Sequence, residues 1–129
     1  AEGHGRARHG GAKNLASLGR LELRLAQSLE QAAAGAPDST ALELQRLARE
    51  SRRAAAELKS DLSADRQAGR QNDILTLAEQ LADDFLEIGD RSTDEAEIAQ
   101  AQALAERAVL RLAQLRALGS SLPRGNPAA

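Results

Sequence analysis

Cysteine is absent from the chain, which excludes disulfides, thiolate metal ligands and a cysteine nucleophile. Tyrosine, tryptophan and methionine are absent too, and Phe85 is the sole aromatic residue. With no rings to stack on bases and a formal net charge of −2, a nucleic-acid-binding surface is not expected. Sheet-building residues are scarce, with Val109 the one valine and Ile74, Ile88 and Ile98 the isoleucines, so strands are not expected either. No apolar run approaches the roughly 18 residues needed to cross a bilayer, and the chain reads as soluble.

Alanine and leucine supply most of the 42% of residues that are hydrophobic. Both are strong helix formers. A chain of 129 residues has room for one core, and the expected fold is all-α. Leu15, Leu18, Leu21, Leu25 and Leu29 recur at steps of three and four, laying an apolar stripe on a first helix over 14–34 that ends near Gly35 and Pro37. A second helix over 39–63 carries Leu44, Leu47, Ala48, Ala55, Leu58 and Leu62 on its core face, and Thr40 with Glu43 matches a capping box. From Ser63 to Asp73 no large apolar residue occurs, which marks a longer link.

A third helix over 73–89 presents Ile74, Leu77, Ala78, Leu81, Phe85 and Ile88 on one face. Ser92 and Glu95 form a second capping-box pattern, opening a fourth helix over 93–118 with Ile98, Ala101, Ala105, Ala108, Leu112 and Leu115 inward. Four such helices hide their stripes as an up-down-up-down bundle over 14–118. The glycine-rich residues 1–13 and the stretch 119–129 read as flexible tails. An alanine-rich core lets helices approach closely but buries little area per residue, at about 25 cal/mol per Å².

Chemistry is poorly served by what remains. The two histidines, His4 and His9, both sit in the glycine-rich start, where no helix presents them to carboxylates as a bundle metal site requires. No metal, cofactor or catalytic residue is therefore assigned, and the chain reads as non-enzymatic. Asp83 and Asp84 are adjacent on a helix and diverge by about 100°, which suits water better than paired acid-base work. The glycines of the tail lack the Lys-Ser or Lys-Thr that completes a phosphate loop.

One stretch invites an alternative. His9 is followed by Lys13 and then by Leu15, Leu18 and Leu21. This resembles the phosphoacceptor helices of histidine phosphotransfer and histidine-kinase dimerisation domains. The resemblance implies His9 as phosphoacceptor and Lys13 as supporting cation in a phosphorelay. It departs from that pattern in placing the lysine four residues after the histidine instead of three, with Asn14 next instead of glycine. Gly10 and Gly11 would also occupy the first turn of the required helix, at about 1 kcal/mol each relative to alanine.

The surfaces say more than the motifs. Residues 73–97 hold nine acidic residues and one basic, and Glu79, Asp83, Glu87 and Asp90 fall at steps of four, four and three on one face. Such a stripe serves either solubility or docking of a basic partner. Arg46, Arg49 and Arg53 line up on the second helix with Glu43, Glu50 and Glu57 close enough to pair, and that helix could also meet the acidic helix of a neighbouring chain. Leu23 lies opposite the main stripe of its helix, while Ala96, Ala99, Ala103, Leu110 and Ala117 form a second apolar face on the fourth. That face calls either for neighbours on both sides or for an external helix or second copy.

The expectation is a protein-interaction or adaptor bundle, with Glu79, Asp83, Glu87, Asp90, Leu23 and Leu110 contacting a basic surface or amphipathic helix of another protein, or a second copy of the chain. Phosphotransfer through His9 is the first alternative. Reversible lipid binding by an opened bundle is the second, disfavoured by the missing tryptophan and tyrosine and by the acidic third helix.

Overall fold

The computed structural model describes residues 14–60, 73–119 and 122. They form four helices, α1 (Leu15–Ala34), α2 (Asp38–Glu57), α3 (Ile74–Arg91) and α4 (Glu95–Leu118), with no strand among the described residues. The fold is an all-α four-helix bundle.

Each start has a local cause. Asn14 is extended, accepts from the Ser17 backbone N–H at 2.8 Å and donates its own N–H to the Ser17 hydroxyl at 3.3 Å, a reciprocal cap that starts α1 at Leu15. Asp73 caps α3 by accepting from the Thr76 N–H at 2.9 Å. The capping box expected at Thr40 does not form. Pro37, with φ −60° and ψ 157°, already sets the chain into α2 at Asp38, and Thr40 is buried within the helix. On α4 the frame is shifted by two: Asp94 accepts from the Ala96 N–H at 3.0 Å, while the Ser92 hydroxyl, itself bonded by the Asp94 N–H, donates to Glu97 at 2.5 Å.

The end of α2 also differs from expectation. It stops at Glu57, not at 63, because Lys59 turns left-handed (φ 56°) and the N–H groups of Lys59 and Ser60 fold back on the carbonyls of Ala56 and Ala55. Residues 61–63 and Leu62 lie outside the described residues.

The ion pairs between helices fix their directions. Arg52 on α2 grips Glu30 on α1 with two hydrogen bonds of 2.7 and 2.8 Å, and the Ser60 hydroxyl donates to the Ala16 carbonyl at 3.1 Å, so α2 returns antiparallel to α1. Arg46 reaches Gln114 at 3.4 Å while Glu57 accepts from Arg107 at 2.8 and 3.0 Å, so α4 is antiparallel to α2. Glu79 meets Arg116 at 2.5 Å and Gly89 faces Gln102, so α3 is antiparallel to α4. Helices α1 and α4 therefore run one way and α2 and α3 the other.

The order is up-down-down-up, a correction to the expected up-down-up-down arrangement. Ser60 sits beside the first turn of α1, whereas Asp73 opens a helix whose first half pairs with the last turns of α4. The link of residues 61–72 thus joins opposite ends of the bundle, which a tight turn could not do. Helix α1 packs on α2 and α3, α3 packs on α4, and α2 approaches α4 less closely, bridged by its long ion pairs.

The core follows the predicted stripes with exceptions. Leu18, Leu25, Leu29, Leu44, Leu47, Leu77, Leu81, Phe85, Ile88, Ala101, Ala105, Ala108 and Leu115 form one buried cluster. Leu15, Leu21, Leu58 and Leu112 are partly buried against it, and Ile98 is half-buried. Leu104 is added to it, and Leu122 packs against its edge, so the expected tail from 119 is not free throughout.

Gly19 is buried in mid-α1, where a Cβ would overlap the Ser60 hydroxyl and come within 2.7 Å of the Ser60 Cβ. Glycine there lets the end of α2 dock. Gly19→Ala gains about 1 kcal/mol of helix propensity but forces apart an anchored contact at a cost of about 1–3 kcal/mol. A net lowering of the urea midpoint is expected, relieved by adding Ser60→Gly.

Candidate functional site

Two features could carry function: a polar layer inside the bundle and the apolar residues left outside it.

Each helix contributes one polar residue that is 2% exposed or less, Glu22 from α1, Ser51 from α2, Asp84 from α3 and Arg111 from α4. Arg111 pairs in parallel with Glu22, Nη2 donating to Oε2 at 3.1 Å and Nη1 lying 3.0 Å from Oε1. Asp84 and Arg111 are each five residues inward from the Glu79–Arg116 pair on antiparallel helices, which puts them at the same height. Burial pushes the Glu22 carboxyl above its ordinary range, against the pull of the Arg111 guanidinium and the nearby Ser51 hydroxyl. The four side chains of this layer are closed off from water. Its chemistry is that of a buried ion pair, which orients helices more than it stabilises them.

The titration has a defined sign. A carboxyl whose pKa is raised by folding adds stability in acid that is lost as pH rises through the folded value. Glu30, Glu43 and Glu57 are lowered by hydrogen bonds from Arg52, Arg46 and Arg107 respectively, so their contribution is present at neutral pH and lost below about 4.5. Above about pH 4.5, the ordinary carboxylate value, only the Glu22 contribution changes among these groups. The urea midpoint is expected to rise on acidification over that window, and the rise to disappear in Glu22→Gln.

The sequence missed this layer. Glu22 and Arg111 carry no signal of burial in a single sequence, since charged residues are almost never fully buried unless paired. Asp84, expected in water beside Asp83, is 1% exposed while Asp83 remains outside. Leu23, proposed as a partner contact, is 8% exposed and belongs to the bundle interior.

The acidic stripe is only partly open. Asp83 and Asp90 are exposed and Glu87 is half-buried. Glu79 is taken up by Arg116 from α4, a neutralisation across helices that local spacing could not reveal. On α2, Arg46 pairs with both Glu43 and Glu50 as the spacing suggested, but Glu57 turns to Arg107 on α4. His9 and Lys13 lie outside the described residues. Among the described residues α1 opens at Leu15, after the extended Asn14.

Leu110 is where it was expected, 59% exposed. The rest of the second face expected on α4, Ala96, Ala99, Ala103 and Ala117, is exposed as well, and Ala113 joins it. Val109 is 45% exposed, and Leu86 on α3 is 48% exposed. Leu86 lies two turns along α3 from Glu79, as Val109 lies two turns back along α4 from Arg116, so the two flank the same outer edge at one height. Leu86 and Val109 thus flank one outer edge, while Leu110, turned about 100° from Val109, belongs to the alanine face of α4; the exposed acids Asp83, Asp90 and Glu106 lie on the same two helices. No helix of the described residues is long and apolar enough to cross a membrane.

No protein-family model matches the chain, and no curated protein or solved structure is significantly similar to it.

Proposed function

We propose that this chain is a non-catalytic helical bundle that binds protein through the outer face of α3 and α4. The observation that carries the reading is that Leu86, Val109 and Leu110, three of the four large apolar residues left exposed among the described residues, all lie on the neighbouring helices α3 and α4. Large apolar side chains gathered in water, with alanines around them that let a backbone come close, suit the groove side of a helix-in-groove contact. Asp83, Asp90 and Glu106 at its margin give the contact a preference for a basic partner.

The test is capture of partners from the native source by the wild type, by Leu86→Lys with Leu110→Lys, and by Asp83→Lys with Asp90→Lys, each checked for unchanged helicity. Loss of the same captured proteins in the leucine variant, with weaker and salt-sensitive capture in the aspartate variant, is the expected result. Equal capture by all three would rule the face out.

A further inference from the structure

We propose that the occupant of this face is a second copy of the chain, seated head to tail by the outer face of its α2. This rests on the docking reading above and names its partner.

The fourth large exposed apolar residue is Leu42 on α2, 68% exposed. It lies on the side of α2 away from the buried Leu44, Leu47, Ala48 and Ser51, together with the exposed Arg49 and Arg53. Every large apolar residue exposed among the described residues therefore sits either on this side of α2 or on the helices α3 and α4. The exposed acids Asp83, Asp90 and Glu106 accompany Leu86, Val109 and Leu110, whereas the stripe of Leu42 carries Arg49 and Arg53 two and three turns on and Asp38 one turn back.

The charges also decide between arrangements. Pairing the α3/α4 face with its own copy about a two-fold axis would set one acidic margin against another, because Arg107 and Arg116 are already engaged by Glu57 and Glu79 of their own chain. Pairing it with α2 sets acid against arginine and gives Leu42 an apolar bed. The two faces belong to different helices and are free at the same time, so the contact is heterologous and propagates from copy to copy.

Sedimentation of the full chain tests this. The weight-average mass of the wild type is expected to climb above 13.6 kDa as concentration rises, reaching about twofold in the upper micromolar range at low salt, and to fall back at high salt. Leu42→Glu with Arg53→Glu removes one face, and Leu86→Lys with Leu110→Lys removes the other. Each variant alone is expected to stay monomeric. Mixed, they are expected to form a 1:1 dimer and nothing larger, since one intact α2 face then meets one intact α3/α4 face.

A wild type that remains monomeric overturns the proposal, as does an α2 variant that still self-associates or a mixture that does not pair. If either variant loses helicity, Leu42→Gln or Leu86→Gln with Leu110→Gln replaces it. A monomeric wild type whose protein capture still depends on Leu86 and Leu110 overturns self-pairing while leaving the docking face intact. A monomeric wild type with no such capture overturns both.

Discussion

Arg111→Met is expected to lower the stability of the bundle by about 3–5 kcal/mol, the cost of leaving a buried charge without its partner. The guanidinium is 2% exposed and the Glu22 carboxylate it pairs with is 1% exposed, so water cannot take its place. Folding already holds that carboxylate at a disadvantage, since burial outweighs the pull of Arg111 on its proton. Removing the cation deepens the disadvantage and leaves Asp84 in the same interior layer without Arg111 at its height. Glu22→Leu combined with Arg111→Met takes both charges away and is expected to recover most of the loss, because replacing an entire buried pair by apolar residues is often neutral or stabilising. Urea unfolding of the two single variants and the double variant gives the coupling directly. A double variant whose loss equals the sum of the single losses would show that the pair is not coupled in the folded state.

The second large effect belongs to Phe85. Its ring is 0% exposed and is the only aromatic group in the chain. The buried cluster that holds it takes Ala101, Ala105 and Ala108 along with Leu104 and Leu115 from α4, and Leu81 and Ile88 from its own helix. Alanines bring the helices close but cannot rotate into a void, so Phe85→Ala leaves most of the ring volume empty. A loss of about 3–5 kcal/mol is expected, a large part of the roughly 5–15 kcal/mol typical of a domain. Phe85→Leu, which fills much of the space, is expected to cost clearly less. Equal midpoints for the two variants would mean that the site collapses around whatever it holds.

Much of the fold was legible because it depends on local rules. The third helix shows this best: its six inward positions, from Ile74 to Ile88, follow the apolar period and all are buried. The stripe of α2 and the alanine face of α4 follow the same logic. What escaped was set by contacts between segments far apart in sequence. The direction of α3 depends on a link that joins opposite ends of the bundle, and a missing apolar pattern over that stretch reports its length but not its path. Leu23 looked spare because it lies opposite the main stripe of α1, yet it is buried in a helix that packs on both α2 and α3. Glu79 looked open because its neutralising Arg116 is on another helix.

The candidate site divides in the same way. Leu110 and the small residues beside it were visible as a second apolar face, since periodicity marks them without reference to any other helix. Leu86 was not singled out, because only the alignment of α3 with α4 brings it to the edge that holds Val109. The Glu22–Arg111 pair could not be foreseen from either residue alone, as its two halves are eighty-nine positions apart and one layer deep.

The most direct measurement of the central claim is side-chain footprinting by short-lived radicals, with the chain in dilute buffer and in extract of its native source. The account predicts that Leu86, Val109 and Leu110 are labelled freely in buffer and lose labelling together in the extract, while the exposed residues of α1 do not change. Labelling of those three residues that is the same in both settings would contradict it, and would make the outer face of α3 and α4 a surface turned only to water.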